Sequence, residues 1–106
     1  MKTFELEELL ADAEGKPWLP FLDVSSLTVG IYTVRGCDIE THRPHTRDEV
    51  YYVLRGAGTV AVEGEERTVR EGSVIFVPAG REHHYQSADE KLVMLVFFSS
   101  AAPAAG

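Results

Sequence analysis

With 106 residues, 44% hydrophobic and 25% charged, the chain has the size and balance of one globular domain and is too short to divide into two cores. A formal charge of −7 with no run of Lys or Arg excludes nucleic acid and anionic membrane as expected partners. The single cysteine, Cys37, excludes an internal disulfide, and the acidic start MKTFELEELL excludes a signal peptide, so a cytoplasmic protein is expected.

Phe4, Leu6, Leu9 and Leu10 recur at roughly helical spacing among Glu5, Glu7 and Glu8. This predicts one short helix over about residues 3–13, with Thr3 as N-cap and acids in the first turn. Gly15, Pro17 and Pro20 forbid its continuation. The helix reads as a lid on a larger core or on a second subunit, or as a partner-binding face.

From Ser26 onward the period changes to two. Leu27, Val29 and Ile31 alternate with smaller or polar residues until Gly36. Residues 49–55 (EVYYVLR) form the next strand, rich in β-branched and aromatic side chains. Residues 59–63 (TVAVE) and 66–70 (ERTVR) flank Gly64 and read as a hairpin. Residues 73–77 (SVIFV) end at Pro78 and Gly80, 83–86 make a short strand, and 91–98 (KLVMLVFF) are apolar on both faces.

About seven or eight short strands with regular turn signals predict an all-β sandwich or barrel, one domain over 1–106 with its core over about 26–98. The last strand is either central in a sheet covered on both sides or buried between subunits. Its apolar run, 92–98, is too short to span a bilayer. The end, 99–106 (SSAAPAAG), reads as a flexible tail.

Two segments carry chemistry. Residues 41–56 (THRPHTRDEVYYVLRG) put His42 and His45 just ahead of Asp48 and Glu49, at the entry to an apolar strand. A carboxylate there is expensive unless something pairs with it, and imidazoles converging on a carboxylate suit a divalent transition metal. Residues 71–86 (EGSVIFVPAGREHHYQ) place His83 three residues after Gly80. Strand alternation lets only one of His83 and His84 face the interior. Taken singly, each histidine is equally an ordinary loop or surface residue.

Together the segments resemble the two signature motifs of the cupin superfamily, over roughly residues 26–98. The first motif runs glycine, five residues, His-x-His, three or four residues, Glu, six residues, glycine. Gly36, His42, Glu49 and Gly56 keep that spacing. The second runs glycine, five residues, Pro-x-Gly, two residues, His, and Gly72, Pro78, Gly80 and His83 match every step. The departure is His42-Arg43-Pro44-His45 in place of His-x-His. One register makes His45 the second histidine with Arg43 in the first position. The other makes His42 the first, with Pro44 in the second, where a bulge would turn both histidines inward.

The resemblance implies a double-stranded β-helix (jelly-roll) barrel with a short N-terminal helix. It implies a divalent metal (Fe, Mn, Ni or Zn) on His45, Glu49 and His83, with His42 as the fourth ligand. Without His42 the set is that of non-haem iron sites. Parity carries Tyr51 and Val53 inward with Glu49, and Tyr85 inward with His83. Tyr51 and Tyr85 are then candidate catalytic proton donors, or plain core. Arg43 could hold a substrate carboxylate, Asp48 reads as a turn residue, and Cys37 as a small buried thiol.

The expected function is an enzyme of dioxygenase, isomerase or lyase type acting on a small organic molecule. The alternative is a non-catalytic ligand-binding or structural module. A homodimer is expected, from the apolar strand 92–98 treated as an edge and from the helix.

Overall fold

One helix and nine strands occur among the described residues: α1 (Leu6–Ala13), β1 (Trp18–Val24), β2 (Leu27–Arg35), β3 (Ile39–His42), β4 (Glu49–Arg55), β5 (Ala57–Val62), β6 (Glu65–Arg70), β7 (Val74–Val77), β8 (His83–Ser87) and β9 (Lys91–Ser99). The structure, a computed structural model, describes residues 1–35, 39–42 and 47–99, and only the backbone over 39–42. All pairings are antiparallel, in a five-stranded sheet ordered β1-β2-β9-β4-β7 and a four-stranded sheet ordered β3-β8-β5-β6. The two sheets form a jelly-roll sandwich, as expected. No helix among the described residues is long and apolar enough to cross a membrane.

Why β9 is apolar on both faces follows from its place. It pairs with β2 over its whole length, from Leu27↔Ser99 to Arg35↔Lys91, and with β4 on its other side. Leu92, Met94 and Val96 point between the sheets, where they pack with Tyr32, Tyr51 and Tyr85. Val93 and Leu95 point the other way, into a second cluster under α1 with Ile31, Leu54, Leu9 and Leu10. A strand covered on both faces needs an unbroken apolar run. Of the two places expected for this strand, the centre of a sheet covered on both sides is the one observed, and only its treatment as an edge in the dimer argument is corrected.

The helix itself starts later than Thr3. Glu5 is the N-cap, in extended geometry (φ −98°, ψ 125°) and without a side-chain cap bond. Phe4 stays outside, its ring edge-on to Phe21 at 5.0 Å. Leu6, Leu9, Leu10 and Ala13 lie one turn apart on the face that meets the sheet, and Ala13 is buried there. The helix covers the outer side of the β1–β2–β9 half of the larger sheet.

Strand β1 precedes Ser26, the residue at which the alternation first becomes legible. Pro17 and Pro20 disguise it as loop. Pro20 is tolerated because β1 lies at the sheet edge, with an irregularity in register between Pro20 and Leu22. The hairpin expected around Gly64 is present as β5 and β6, joined by Glu63 and Gly64, both at positive φ (49° and 81°).

Candidate metal and acid site

Glu49 opens β4 and His83 opens β8, so each motif delivers one polar side chain at the start of a strand that crosses the core. Both are only 1% exposed, and alternation buries Tyr51 and Val53 behind Glu49 and Tyr85 behind His83. His84 and Tyr52, the out-of-phase neighbours, stay partly or largely exposed.

The two polar groups meet. His83 Nε2 lies 3.3 Å from Glu49 Oε2. The Tyr51 hydroxyl donates to that same oxygen at 3.3 Å and lies 3.4 Å from His83 Nε2. On the far side of the ring, His83 Nδ1 is 3.0 Å from the Arg81 carbonyl oxygen. A carbonyl can only accept, so Nδ1 carries a hydrogen and Nε2 is the ring nitrogen that faces Glu49.

With Nε2 and Oε2 3.3 Å apart, a proton carried by either group, or another cation, satisfies both. Burial, offset in part by the Tyr51 hydrogen bond, pushes the Glu49 carboxyl from 4.5 up to about 7. The donor set also fits a divalent metal. Nitrogen and oxygen ligands at about 2.1 Å, set at octahedral or tetrahedral angles, lie roughly 3.0–3.4 Å apart. The 3.3 Å between His83 Nε2 and Glu49 Oε2 falls within that spacing. The Nδ1–H bond to a backbone carbonyl is the usual support that fixes a ligating imidazole.

Three tyrosines pack behind the pair. The rings of Tyr51 and Tyr85 lie 4.7 Å apart, and Tyr32 meets Tyr85 edge-on at 6.1 Å. Burial first, then the Glu49 charge, pushes the Tyr51 hydroxyl well above the usual tyrosine range; burial and then Tyr51 do the same for Tyr85. Both phenols therefore stay protonated at neutral pH, and that of Tyr51 donates to Glu49.

Among the sequence-derived candidates, Glu49, His83, Tyr51 and Tyr85 converge. The backbone of His42 lies in β3, directly opposite His83 in the β3–β8 ladder. His45, Arg43, Pro44 and Cys37 fall outside the described residues. Among the described residues, no three His, Cys, Asp or Glu side chains gather around one point.

Asp48 does more than turn the chain. Its carboxylate accepts the Ala79 N–H at 2.8 Å, its N–H donates to Ser99 Oγ at 3.1 Å, and its carbonyl accepts the Ser99 N–H at 3.0 Å. It thus ties the turn after β7 and the end of β9 to the residue preceding Glu49. Tyr32 escapes a reading of the sequence, because the apolar alternation of Leu27, Val29 and Ile31 marks the opposite face of β2, which turns away from the barrel interior. A separate cavity of about 330 Å³ opens by Val60, Val62, Glu65, Arg67 and Ile75, and neither Glu49 nor His83 lines it.

Comparison with known proteins agrees with this geometry. The chain is 39% identical over 101 residues to the uncharacterized protein SCO3923 of Streptomyces coelicolor, covering 93% of this chain and 96% of that one. It is 29% identical over 98 residues to the acireductone dioxygenase of Geobacillus thermodenitrificans, covering 87% of this chain and 53% of the enzyme. Among solved structures, TT1209 from Thermus thermophilus superposes with a TM-score of 0.77 at 23% identity, covering 94% of this chain and 98% of that one. The cupin domain model matches residues 30–98, from β2 through both motifs to the strand that pairs with Glu49. With most of its length in that match, the chain belongs to the cupin family.

Proposed function

We propose that this protein is a metal-dependent enzyme that binds a small organic molecule through an oxygen atom at the Glu49–His83 cluster. The observation that carries the reading is the buried 3.3 Å contact between His83 Nε2 and Glu49 Oε2, with the imidazole oriented by the Arg81 carbonyl. An uncharged core would bury neither group at 1% exposure without a task for the pair. The similarity to an acireductone dioxygenase supports a catalytic rather than a purely structural barrel.

Glu49 and His83 would hold the metal, an Fe, Mn, Ni or Zn ion, with the remaining protein ligands from His42 and His45. A bound metal supplies Lewis acidity toward a substrate oxygen. The chain's own groups do the rest. His83 is held in one tautomer, Tyr51 donates a hydrogen bond to Glu49 Oε2, and Tyr51 and Tyr85 stay protonated beside the site. The aromatic floor of Tyr32, Tyr51 and Tyr85 excludes water from below. The reaction type within dioxygenase, isomerase or lyase chemistry is left open by these residues.

Calorimetric titration with Ni²⁺ and Mn²⁺ tests the reading. Wild-type protein is expected to bind one ion per chain, and His83→Ala is expected to weaken binding at least about 100-fold, the cost of an inner ligand being no less than that of its supporting shell. Unchanged affinity in His83→Ala would overturn it.

We also propose a homodimer, on grounds that differ from the sequence expectation. With β9 central, the uncovered apolar surface is the β4–β7 half of the larger sheet, where Tyr52, Val74 and Phe76 are 40%, 67% and 59% exposed. Strand β7 (VIFV) has no charge to discourage pairing and stands at the sheet edge, so an antiparallel copy of itself is its natural complement. Light scattering at micromolar concentration should give twice the chain mass. A monomer there would contradict it.

A further inference from the structure

Strand β1 carries a tryptophan that sits against the barrel interior without being buried by it. Leu19 and Phe21 point outward, into the cluster under α1. Trp18, out of phase with them, lies on the other face, over Gly30 of β2. A Cβ on Gly30 would stand 2.4 Å from Trp18 Cη2 and 2.8 Å from Cζ2, so the indole rests on bare backbone. The ring reaches Phe98 edge-on, 5.7 Å between centroids at 83°. Phe98 in turn is directly opposite Glu49 in the β4–β9 ladder, and paired residues share a face.

An aromatic path therefore runs from Trp18 through Phe98 to the carboxylate. Its outer member keeps 37% of its surface exposed. A tryptophan used only to fill the core would be covered, and a strand at ease with any residue would not need a glycine beneath the ring. An indole lodged on a glycine seat and open at its rim is a recognition surface.

We infer that Trp18 is a specificity-determining residue: its indole takes the flat, unsaturated or aromatic part of a small ligand whose oxygen-bearing end is held at Glu49 and His83. This inference rests on the proposed metal site and adds the shape of what that site accepts.

Two hydroxamates serve as probes, because both chelate a metal through the same two oxygens while only benzohydroxamate offers a planar ring; acetohydroxamate offers a methyl group. On nickel-loaded wild-type protein, benzohydroxamate is expected to bind about tenfold tighter than acetohydroxamate, the size of a favourable ring–ring contact with its buried area. Trp18→Leu should abolish that preference while leaving acetohydroxamate affinity within about twofold, and Trp18→Phe should keep part of it. As Trp18 is the chain's one tryptophan, its emission should also change with benzohydroxamate and not with acetohydroxamate. Nickel binding with equal preference in wild type and Trp18→Leu overturns this inference alone. Failure of wild-type protein to bind nickel overturns the metal site, and the inference with it. If Trp18→Leu unfolds, Trp18→Phe and the wild-type emission carry the decision: no spectral response to benzohydroxamate and no loss of preference in Trp18→Phe refute the proposal.

Discussion

Glu49 is a carboxyl group held in a tyrosine-lined interior, and its chemistry is set by what stands 3.3 Å away on His83. In metal-free protein its pKa is raised from 4.5 to about 7, so the folded state keeps a proton that the unfolded chain releases between those values. Folding stability is then greatest below pH 4.5 as far as this group is concerned, and is lost as pH rises through about 7. The whole effect is at most on the order of 3 kcal/mol. Urea melts of metal-free protein at pH 5 and pH 8 should show that loss, and Glu49→Gln should remove most of it. A wild-type slope equal to that of Glu49→Gln would contradict the assignment. A metal held by Glu49 and His83, as proposed, would replace that proton, and the slope should flatten in its presence.

At the scale of elements, the spacing of two motifs is enough to set Glu49 and His83 at the heads of two strands, since strand alternation then decides which neighbours turn inward. Tyr51 and Tyr85 follow from parity alone. What the sequence hides has a physical reason in each case. Pro17 and Pro20 mask β1, because an edge strand can carry prolines that a central one cannot. The sequence of β9 is legible as apolar on both faces but leaves two places open, central or between subunits, since a helix lid and a subunit interface bury a strand face alike. Trp18 and Tyr32 escape notice because their strands show their clearer alternation on the face under α1. The motif glycine Gly56 is explained by packing: it sits at φ +86°, and a Cβ there would stand 2.2 Å from the Lys91 carbonyl oxygen. Gly56→Ala is expected to cost about 2 kcal/mol or more, from left-handed strain plus displacement of β9. A thermal melt within a degree of wild type would refute that account.

The whole molecule divides its surfaces by task. One outer half of the larger sheet is sealed by α1, the other half is left apolar at Tyr52, Val74 and Phe76, and the interior carries the polar pair at its end. This division lets a chain of 106 residues hold a rigid site without a disulfide. The core supplies that rigidity: Leu92, fully buried between the sheets, should cost about 2–5 kcal/mol on replacement by alanine. The central claim, that Glu49 and His83 hold a metal, is tested most directly by elemental analysis of purified wild-type protein beside Glu49→Ala and His83→Ala. The account predicts close to one transition-metal ion per chain in the wild type and little in either variant; equal metal content in all three would contradict it.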